Sequence, residues 1–479
     1  MSNKQLAGQN IQIKENNIGK WVWSIISLLA ISAFPVLFLY FQNADEASFS
    51  EVVLPLIIFA SSSALFFGLF FLFSKYAPKT AIITSVFMLV LLNYSLLEKG
   101  VQIIFPSLRY WHILPIFLFI LGHITWFINK KLQTEIADTI TFVLCIVFCS
   151  LILFNGVTAM PTIIKKIYAE RQVKEQKVDA AQMDTENKEF PNIYYLIFDE
   201  YSSFDVIKKY YGYDNSEFKD FLLSNNFSVS TDSHNNSIIT TTVVTNILAL
   251  DYVVDDNTPV YEKLLLRQNA KLYQILSEKG YKINPVGDVE FLGFKANSSS
   301  KSRKSVTVSG ETFRDLLLSK TVIYPFYESD FKGYANTVLE TIDYLCTPNN
   351  FSEKGIFTIM HLDCPHPPFV FDKNGQRVSD QNHMNHKDKK YYLEQYIYIT
   401  SQIKEVIESI IQNDPNSVII LQSDHSVRYL EEIELTDKTN ILNAVYFQGK
   451  SLNIQSLSGL DTLITVLNKL FDLDIPLKG

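Results

Sequence analysis

Three short groups of polar residues carry the types needed for metal or acid–base chemistry. They are Asp199-Glu200, Asp363-Cys364-Pro365-His366-Pro367-Pro368 and Ser423-Asp424-His425-Ser426. Each follows a short, β-rich apolar run: IYYLIF at 193–198, GIFTIMHL at 355–362 and SVIIL at 417–421. A lone aspartate at a strand end is ordinarily a cap or turn residue. Three such groups behind three strands offer carboxylates and an imidazole, which suit Zn2+, Mn2+ or a related divalent ion. A fourth group is the run Ser237-Ile238-Ile239-Thr240-Thr241-Thr242 ahead of the apolar stretch 243–250. It reads as a helix start, where unpaired N–H groups and the dipole favour an anion. Taken singly, each threonine is an N-cap. The functional alternative is a hydroxyl nucleophile, activated by a metal and aimed at a phosphoryl group.

Elements that could bring these groups together are legible in the periodicity. The three apolar runs have the look of fully buried strands, with 443–447 a weaker fourth. Segments 216–225, 271–279 and 392–412 have helical spacing. Buried strands separated by helices predict an α/β domain with a mostly parallel sheet and helices on both faces. In such sheets the chemistry lies beyond the carboxyl ends of the strands.

The other half of the chain is of a different kind. The 479 residues are 47% hydrophobic and only 19% charged, against about a quarter charged in soluble chains. Nearly all of that excess precedes residue 160. A bilayer core of about 30 Å needs about 20 apolar residues in a helix, and five stretches qualify: 21–41, 52–74, 80–97, 111–128 and 136–156. The third and fourth are short, which admits a tilted or re-entrant path. Lys14, Lys20, Lys75, Lys79, Lys130 and Lys131 flank alternate ends, whereas Asp45, Glu46 and Glu51 follow the first span. That bias predicts a multi-pass cell-membrane protein with a cytoplasmic N-terminus and an extracytoplasmic C-terminal domain; Lys165 and Lys166 count against it. The expected layout is a five-helix transmembrane domain at 1–160, a charged juxtamembrane linker helix at 161–190 and a catalytic domain at 191–479. No charge sits mid-span, so no ion path is advertised. The net charge of −8 and the lack of a long basic run exclude nucleic acid as the natural partner. Four cysteines imply no disulfide scaffold. Cys346 and Cys364 are the pair available in an oxidising compartment, and are read as free.

In this order the motifs resemble those of the alkaline phosphatase superfamily, and within it the membrane-anchored branch of lipoteichoic acid synthases, phosphoethanolamine transferases and sulfatase-like proteins. Residues 191 to about 450 carry the resemblance: PNIYYLIFDEY, YGYDNSEFKDFL, the threonine run, HLDCPHPPFVF and VIILQSDHS. The SDH and PHPPF are the most specific. The resemblance implies Asp199, Asp424 and His425 as metal ligands, with Glu200 sharing or replacing the role of Asp199. It implies Thr240 as nucleophile and metal contact, with Thr241 and Thr242 as alternates. His366 would bind the substrate phosphate or the leaving group. Arg428 or Arg314 is a further phosphate-binding candidate, although an exposed salt bridge is the plainer use of either. Glu200 stands where many relatives have glycine, and Ser426 replaces the usual glycine after Asp-His.

Two-metal members need a further histidine well after the Asp-His pair, and none of the eight follows His425. One divalent ion is therefore expected, Mn2+ or Zn2+, with Mg2+ also compatible. His361 falls within a strand, and His383 and His386 read as part of a polar surface loop. Cys346-Thr347-Pro348-Asn349-Asn350 lacks the arginine that a sulfatase cysteine motif requires. The function implied is a membrane phosphotransferase. It would move a phospho-alcohol group, glycerol phosphate or phosphoethanolamine, from a lipid donor to a cell-envelope glycan or polymer through a phospho-threonine. The alternatives are a phosphodiesterase or phosphatase-type hydrolase with the same site, and a non-catalytic membrane scaffold.

Overall fold

A computed structural model describes residues 3–175, 190–294, 313–326, 331–347, 353–378, 385–386 and 388–479. It divides into two compact units, Met1–Ile167 with Glu311–Ser329, and Tyr168–Gly310 with Asp330–Gly479.

The first unit is helical: α1 (Asn3–Gln42), α2 (Phe49–Ser74), α3 (Ala77–Leu92), α4 (Tyr94–Ile104), α5 (Tyr110–Lys131) and α6 (Thr134–Glu175). Four of these helices are long and apolar enough to cross a membrane, and the bent pair α3–α4 makes a fifth if it counts as one span. The span expected at 80–97 is broken. Asn93 donates its side-chain amide to the Leu89 carbonyl, competing with the helix backbone, and α4 leaves at 69°. Polar contacts identify the ends of this bundle. Lys20 pairs with Asp138 at 2.9 Å and donates to the Tyr76 hydroxyl, and Lys79 donates to the Asn129 carbonyl. The start of the apolar part of α1, the α2–α3 turn, the end of α5 and the start of α6 therefore share one end. Lys166, late in α6, donates to the carbonyls of Glu46 and Ala47 after α1, so these lie at the other.

The segment 313–326 was expected within the α/β domain at 191–479. It packs in the helical unit instead, because its residues are apolar. Phe313 and Leu317 are buried with Val36, Tyr40, Val52 and Met88, and the Tyr324 hydroxyl donates to Glu98. Arg314 goes with this segment. Of the linker helix expected at 161–190, the first part continues α6, and 176–189 lie outside the described residues.

The second unit is an α/β domain. Along the chain come β1 (Ile193–Phe198), α7 (Phe204–Tyr211), α8 (Ser216–Ser224), β2 (Ser228–Val229), α9 (Thr240–Ala249), α10 (Val260–Gln268), α11 (Lys271–Glu278) and β3 (Lys282–Gly287). After α12 (Phe313–Leu318) of the helical unit follow α13 (Phe331–Cys346), β4 (Ile356–Leu362), α14 (Lys389–Asn413), β5 (Val418–Ser423), α15 (Leu435–Thr439), β6 (Asn443–Phe447) and α16 (Gly459–Phe471). The sheet order is β2-β6-β5-β1-β4-β3. β3, β4, β1 and β5 run parallel, and β6 is antiparallel to both β5 and β2. Successive residues of β1 point to opposite faces. Tyr194, Leu196 and Phe198 pack with residues of α7, α8, α13 and α14, and Ile193, Tyr195 and Ile197 with those of α9, α11 and α16. All four cysteines are free.

Candidate active site

Register fixes what meets at the carboxyl edge. Phe198 is level with Leu362 on one side and Ser423 on the other, so Asp199, Asp363 and Asp424 emerge together beyond three adjacent strands. Asp199 Oδ1 lies 3.6 Å from His425 Nε2, and Asp424 Oδ2 lies 3.3 Å from the same nitrogen. Asp424 Oδ1 accepts the backbone N–H groups of Glu200 and His425 at 3.0 and 2.8 Å. His425 Nδ1 is 2.8 Å from the Ser426 carbonyl. A carbonyl only accepts, so Nδ1 carries the proton and Nε2 turns a lone pair toward the carboxylates.

That arrangement suits a divalent cation. Asp199 Oδ1 and Asp424 Oδ2 are buried without a hydrogen-bond partner, a costly state for an ionised oxygen. Ligand atoms around a tetrahedral ion at about 2.1 Å are separated by about 3.4 Å, close to the two distances above. Burial, with the charges of Asp424 and Asp363, holds Asp199 well above the ordinary carboxylate range. Burial opposes ionisation of Asp424 too, but His425 and His361, together with hydrogen bonds from the Glu200 N–H and the Thr240 hydroxyl, hold Asp424 below its usual value. His425 is pushed down to about 4, chiefly by burial, and so is neutral and able to ligate at physiological pH.

The threonine run separates cleanly. Thr240 opens α9, half-buried, with Oγ1 3.3 Å from His425 Nε2. Thr241 is buried. Thr242 is buried and its hydroxyl accepts from Lys263 at 2.9 Å. Of the three, Thr240 is the one whose hydroxyl reaches His425, and it sits at a helix N-terminus, where N–H groups await an anion.

Glu200, His366 and Arg428 form the adjoining wall. Glu200 is fully buried with φ +62°, a left-handed conformation where glycine is at ease and other residues store about 1–3 kcal/mol. Its backbone is held at both ends, by Asp424 on its N–H and by the Tyr392 hydroxyl on its carbonyl at 2.7 Å. Its Oε1 accepts the Arg428 N–H at 2.8 Å, while Oε2 has no partner. Burial pushes its carboxyl up to about 8, against the pull of Arg428. The Arg428 guanidinium donates to the Ile238 carbonyl at 2.7 Å and lies 3.1 Å from His425 Nε2 and 3.3 Å from His366 Nε2. His366 Nδ1 is 2.6 Å from the Pro367 carbonyl, and its Nε2 is 2.9 Å from the Tyr429 hydroxyl. Burial, then Arg428, pushes His366 down to about 3. It is therefore neutral, with Nε2 accepting from Tyr429 and Arg428 and holding a proton only weakly.

Three neighbours had no assigned role on sequence. His361 Nε2 lies 4.0 Å from Asp199 Oδ2, and His361 Nδ1 lies 3.2 Å from Asp363 Oδ1. Tyr429 bridges to His366, and the His386 ring stacks on Tyr429 at 4.2 Å. His386 is thus packed near the site, contrary to the surface-loop reading; His383 lies outside the described residues. The signal for His361 was present, two residues before Asp363, but an apolar strand disguised it.

No family model and no curated protein matches the chain. Among solved structures it is similar to the integral membrane lipooligosaccharide phosphoethanolamine transferase A from Neisseria meningitidis, at 13% identity over 94% of this chain and 96% of that one, with a TM-score of 0.38. It is similar to the lipoteichoic acid synthase LtaP from Listeria monocytogenes, at 16% identity over 58% and 72%, TM-score 0.38. It is also similar to the C-terminal periplasmic domain of EcEptC from Escherichia coli in complex with Zn, at 11% identity over 60% and 84%, TM-score 0.39. Scores at this level assign no activity to this chain.

Proposed function

We propose that this chain is a membrane phosphotransferase of the alkaline phosphatase superfamily, transferring a phospho-alcohol group through a phospho-threonine on Thr240. The observation that carries the reading is the approach of the Thr240 hydroxyl to His425 Nε2, at a helix N-terminus and beside two buried carboxylate oxygens without partners. Asp199, Asp424, His425 and Thr240 would hold a divalent cation, Zn2+ or Mn2+, with Mg2+ compatible. Such an ion, when bound, lowers the pKa of a ligated hydroxyl and offsets charge on phosphoryl oxygens.

The chain's own groups account for the rest. The N-terminus of α9 and the Arg428 guanidinium orient the phosphoryl oxygens. The Thr240 hydroxyl gives its proton to water and its oxygen attacks phosphorus. A Thr240 phosphodiester forms as the bond to the lipid oxygen breaks, and that oxygen takes a proton from water to leave as the alcohol. In the second displacement the acceptor hydroxyl, held at neutral His366, gives its proton to water as its oxygen attacks phosphorus, and the Thr240 oxygen leaves and is reprotonated from water. A spanning domain fits a lipid donor such as phosphatidylglycerol or phosphatidylethanolamine, and a cell-envelope glycan or polymer is the proposed acceptor. Lysine placement supports an extracytoplasmic α/β domain.

The test is turnover of headgroup-labelled phosphatidylglycerol and phosphatidylethanolamine by the purified chain, with and without glycan. Wild type should release diacylglycerol and label both the protein and the acceptor. Thr240→Ala should lose at least about 10³-fold in rate while keeping its metal, whereas Thr240→Ser should retain part of the rate. Full turnover by Thr240→Ala ends the proposal, and label appearing only as free phospho-alcohol replaces transfer by hydrolysis.

A further inference from the structure

We infer that Lys263 is a positioning residue for the transfer step, its buried ammonium placing positive charge beneath the turn that carries Thr240; this rests on the reading of Thr240 as nucleophile. Lys263, on α10, is 1% exposed, a place lysine almost never takes without a paired anion. Its ammonium donates to the Thr242 hydroxyl at 2.9 Å and lies 3.5 Å from the Asp256 carbonyl. The Thr242 hydroxyl donates in turn to the Asp255 carbonyl at 3.4 Å, which leaves its lone pairs for Lys263. The carboxylates nearby are engaged elsewhere. Asp256 accepts from the Ser237 hydroxyl, and one oxygen of Asp255 accepts the N–H groups of Asn257 and Thr258 and the Thr258 hydroxyl. Among the described residues both act on the ammonium through charge alone, without a hydrogen bond from it. Burial lowers the lysine's pKa from its ordinary value, and the two aspartates do not fully offset that. A buried cation short of a paired anion is costly.

The surroundings decide where that charge is felt. Asp255 and Asp256 are exposed, so water screens their side. Thr241 to Leu248 are buried, so on the side of α9 the charge acts through a medium of low dielectric. The first turn of α9 lacks an ordinary cap. Its N-cap residue is Ile239, which makes no side-chain bond to the first-turn N–H groups, where serine, threonine, aspartate or asparagine is preferred. The helix dipole and the Lys263 charge therefore add at the same end. During attack, the Thr240 oxygen and the phosphoryl group together carry more negative charge than the bound donor does. A fixed cation bonded two residues along the same turn stabilises that transition state more than it stabilises the bound donor. The hydrogen bonds of Lys263 go to Thr242 and Asp256, so it acts through the turn and not on the reacting oxygen.

The experiment uses the full chain in detergent, loaded with Mn2+, with headgroup-labelled phosphatidylglycerol and phosphatidylethanolamine. The burst of diacylglycerol, the label carried by the protein, kcat, KM and metal per chain are measured for wild type, Lys263→Gln, Lys263→Met and Lys263→Arg. Glutamine keeps a donor for Thr242 without the charge, methionine keeps neither, and arginine keeps the charge. Lys263→Gln and Lys263→Met should slow the burst and lower kcat at least about tenfold, with KM and metal content unchanged. Lys263→Arg should restore most of the rate. A burst in Lys263→Gln as fast as that of wild type overturns the charge role. An equal loss in all three variants also overturns it, in favour of packing, and so does a loss that falls on KM. If Lys263→Gln does not fold, Lys263→Met carries the same comparison. Wild type that turns over donor without carrying label ends the phospho-threonine reading itself, whereas labelled wild type with an unaffected Lys263→Gln ends only the role of Lys263.

Discussion

At the residue scale, two of the site's buried histidines, His425 and His366, are kept neutral, and this has a sign. His425 and His366 are held down to about 4 and about 3, against about 6.5 in an unfolded chain. Between those limits the unfolded chain binds more protons, so their contribution to stability is complete above about pH 6.5. It is lost as pH falls toward the folded values, at about 1.4 kcal/mol per pH unit for each histidine. Thermal melts of the chelator-treated chain between pH 7 and 4 should therefore show a falling melting temperature. His366→Gln should make the fall shallower. An identical slope in that variant would mean that His366 takes a proton without cost, which its burial does not allow. Glu200 works in the opposite sense. Its carboxyl titrates near 8 instead of about 4.5, so its burial becomes progressively costlier above the unfolded value, up to about pH 8. Chelator-treated Glu200→Gln should accordingly gain stability relative to wild type at pH 8.

At the scale of elements, the first turn of α9 decides which threonine faces the site, and a residue on α10 fixes that turn. Lys263 is 1% exposed, and its ammonium donates to the Thr242 hydroxyl. Thr242→Val leaves that ammonium short of a partner, at a cost of about 1–3 kcal/mol. If the Lys263–Thr242 bond is what holds the turn, Lys263→Met and Thr242→Val should couple. The double variant should be less destabilised than the sum of the singles by about 1 kcal/mol, read from denaturant midpoints. Additive effects would mean that packing alone sets the turn. This dependence on a partner about twenty residues away is why three consecutive threonines were not separable on sequence. Other elements were more legible. β1, β4 and β5 show as apolar runs because both their faces are buried, and parallel pairing then puts their following residues on one edge. β3 was missed because it is an edge strand carrying Pro285 and an exposed Lys282, features a central strand excludes. His361 was discounted for a related reason. In a strand buried on both faces, alternation no longer marks the inward position, so an imidazole beside the site looks like one more core residue.

At the scale of the whole molecule, the question is how many times the chain crosses the membrane before the α/β domain begins. α3 has 16 residues and rises about 24 Å, short of the roughly 30 Å core, and α4 bends away. If α3–α4 were a re-entrant loop, α5 would begin at the end where α3 begins. The Lys79–Asn129 contact instead puts the start of α3 beside the end of α5. The Tyr94 hydroxyl donates to the Tyr110 carbonyl, putting the start of α4 beside the start of α5. The chain thus reaches the far end of the bundle through α3 and returns through α5, a path for which five crossings are the expected outcome. Two engineered cysteines separate the alternatives, in a background where the native cysteines are serine. With five crossings and a cytoplasmic N-terminus, Ser50→Cys should react with a membrane-impermeant maleimide on intact cells, and Gln133→Cys only after permeabilisation. With four crossings both would react on intact cells, and residues beyond α6 would lie on the same side as the N-terminus. The five-crossing outcome also explains Lys166. Its ammonium is drawn to the carbonyls after α1, so a lysine that counts against the orientation by charge is held there by hydrogen bonds.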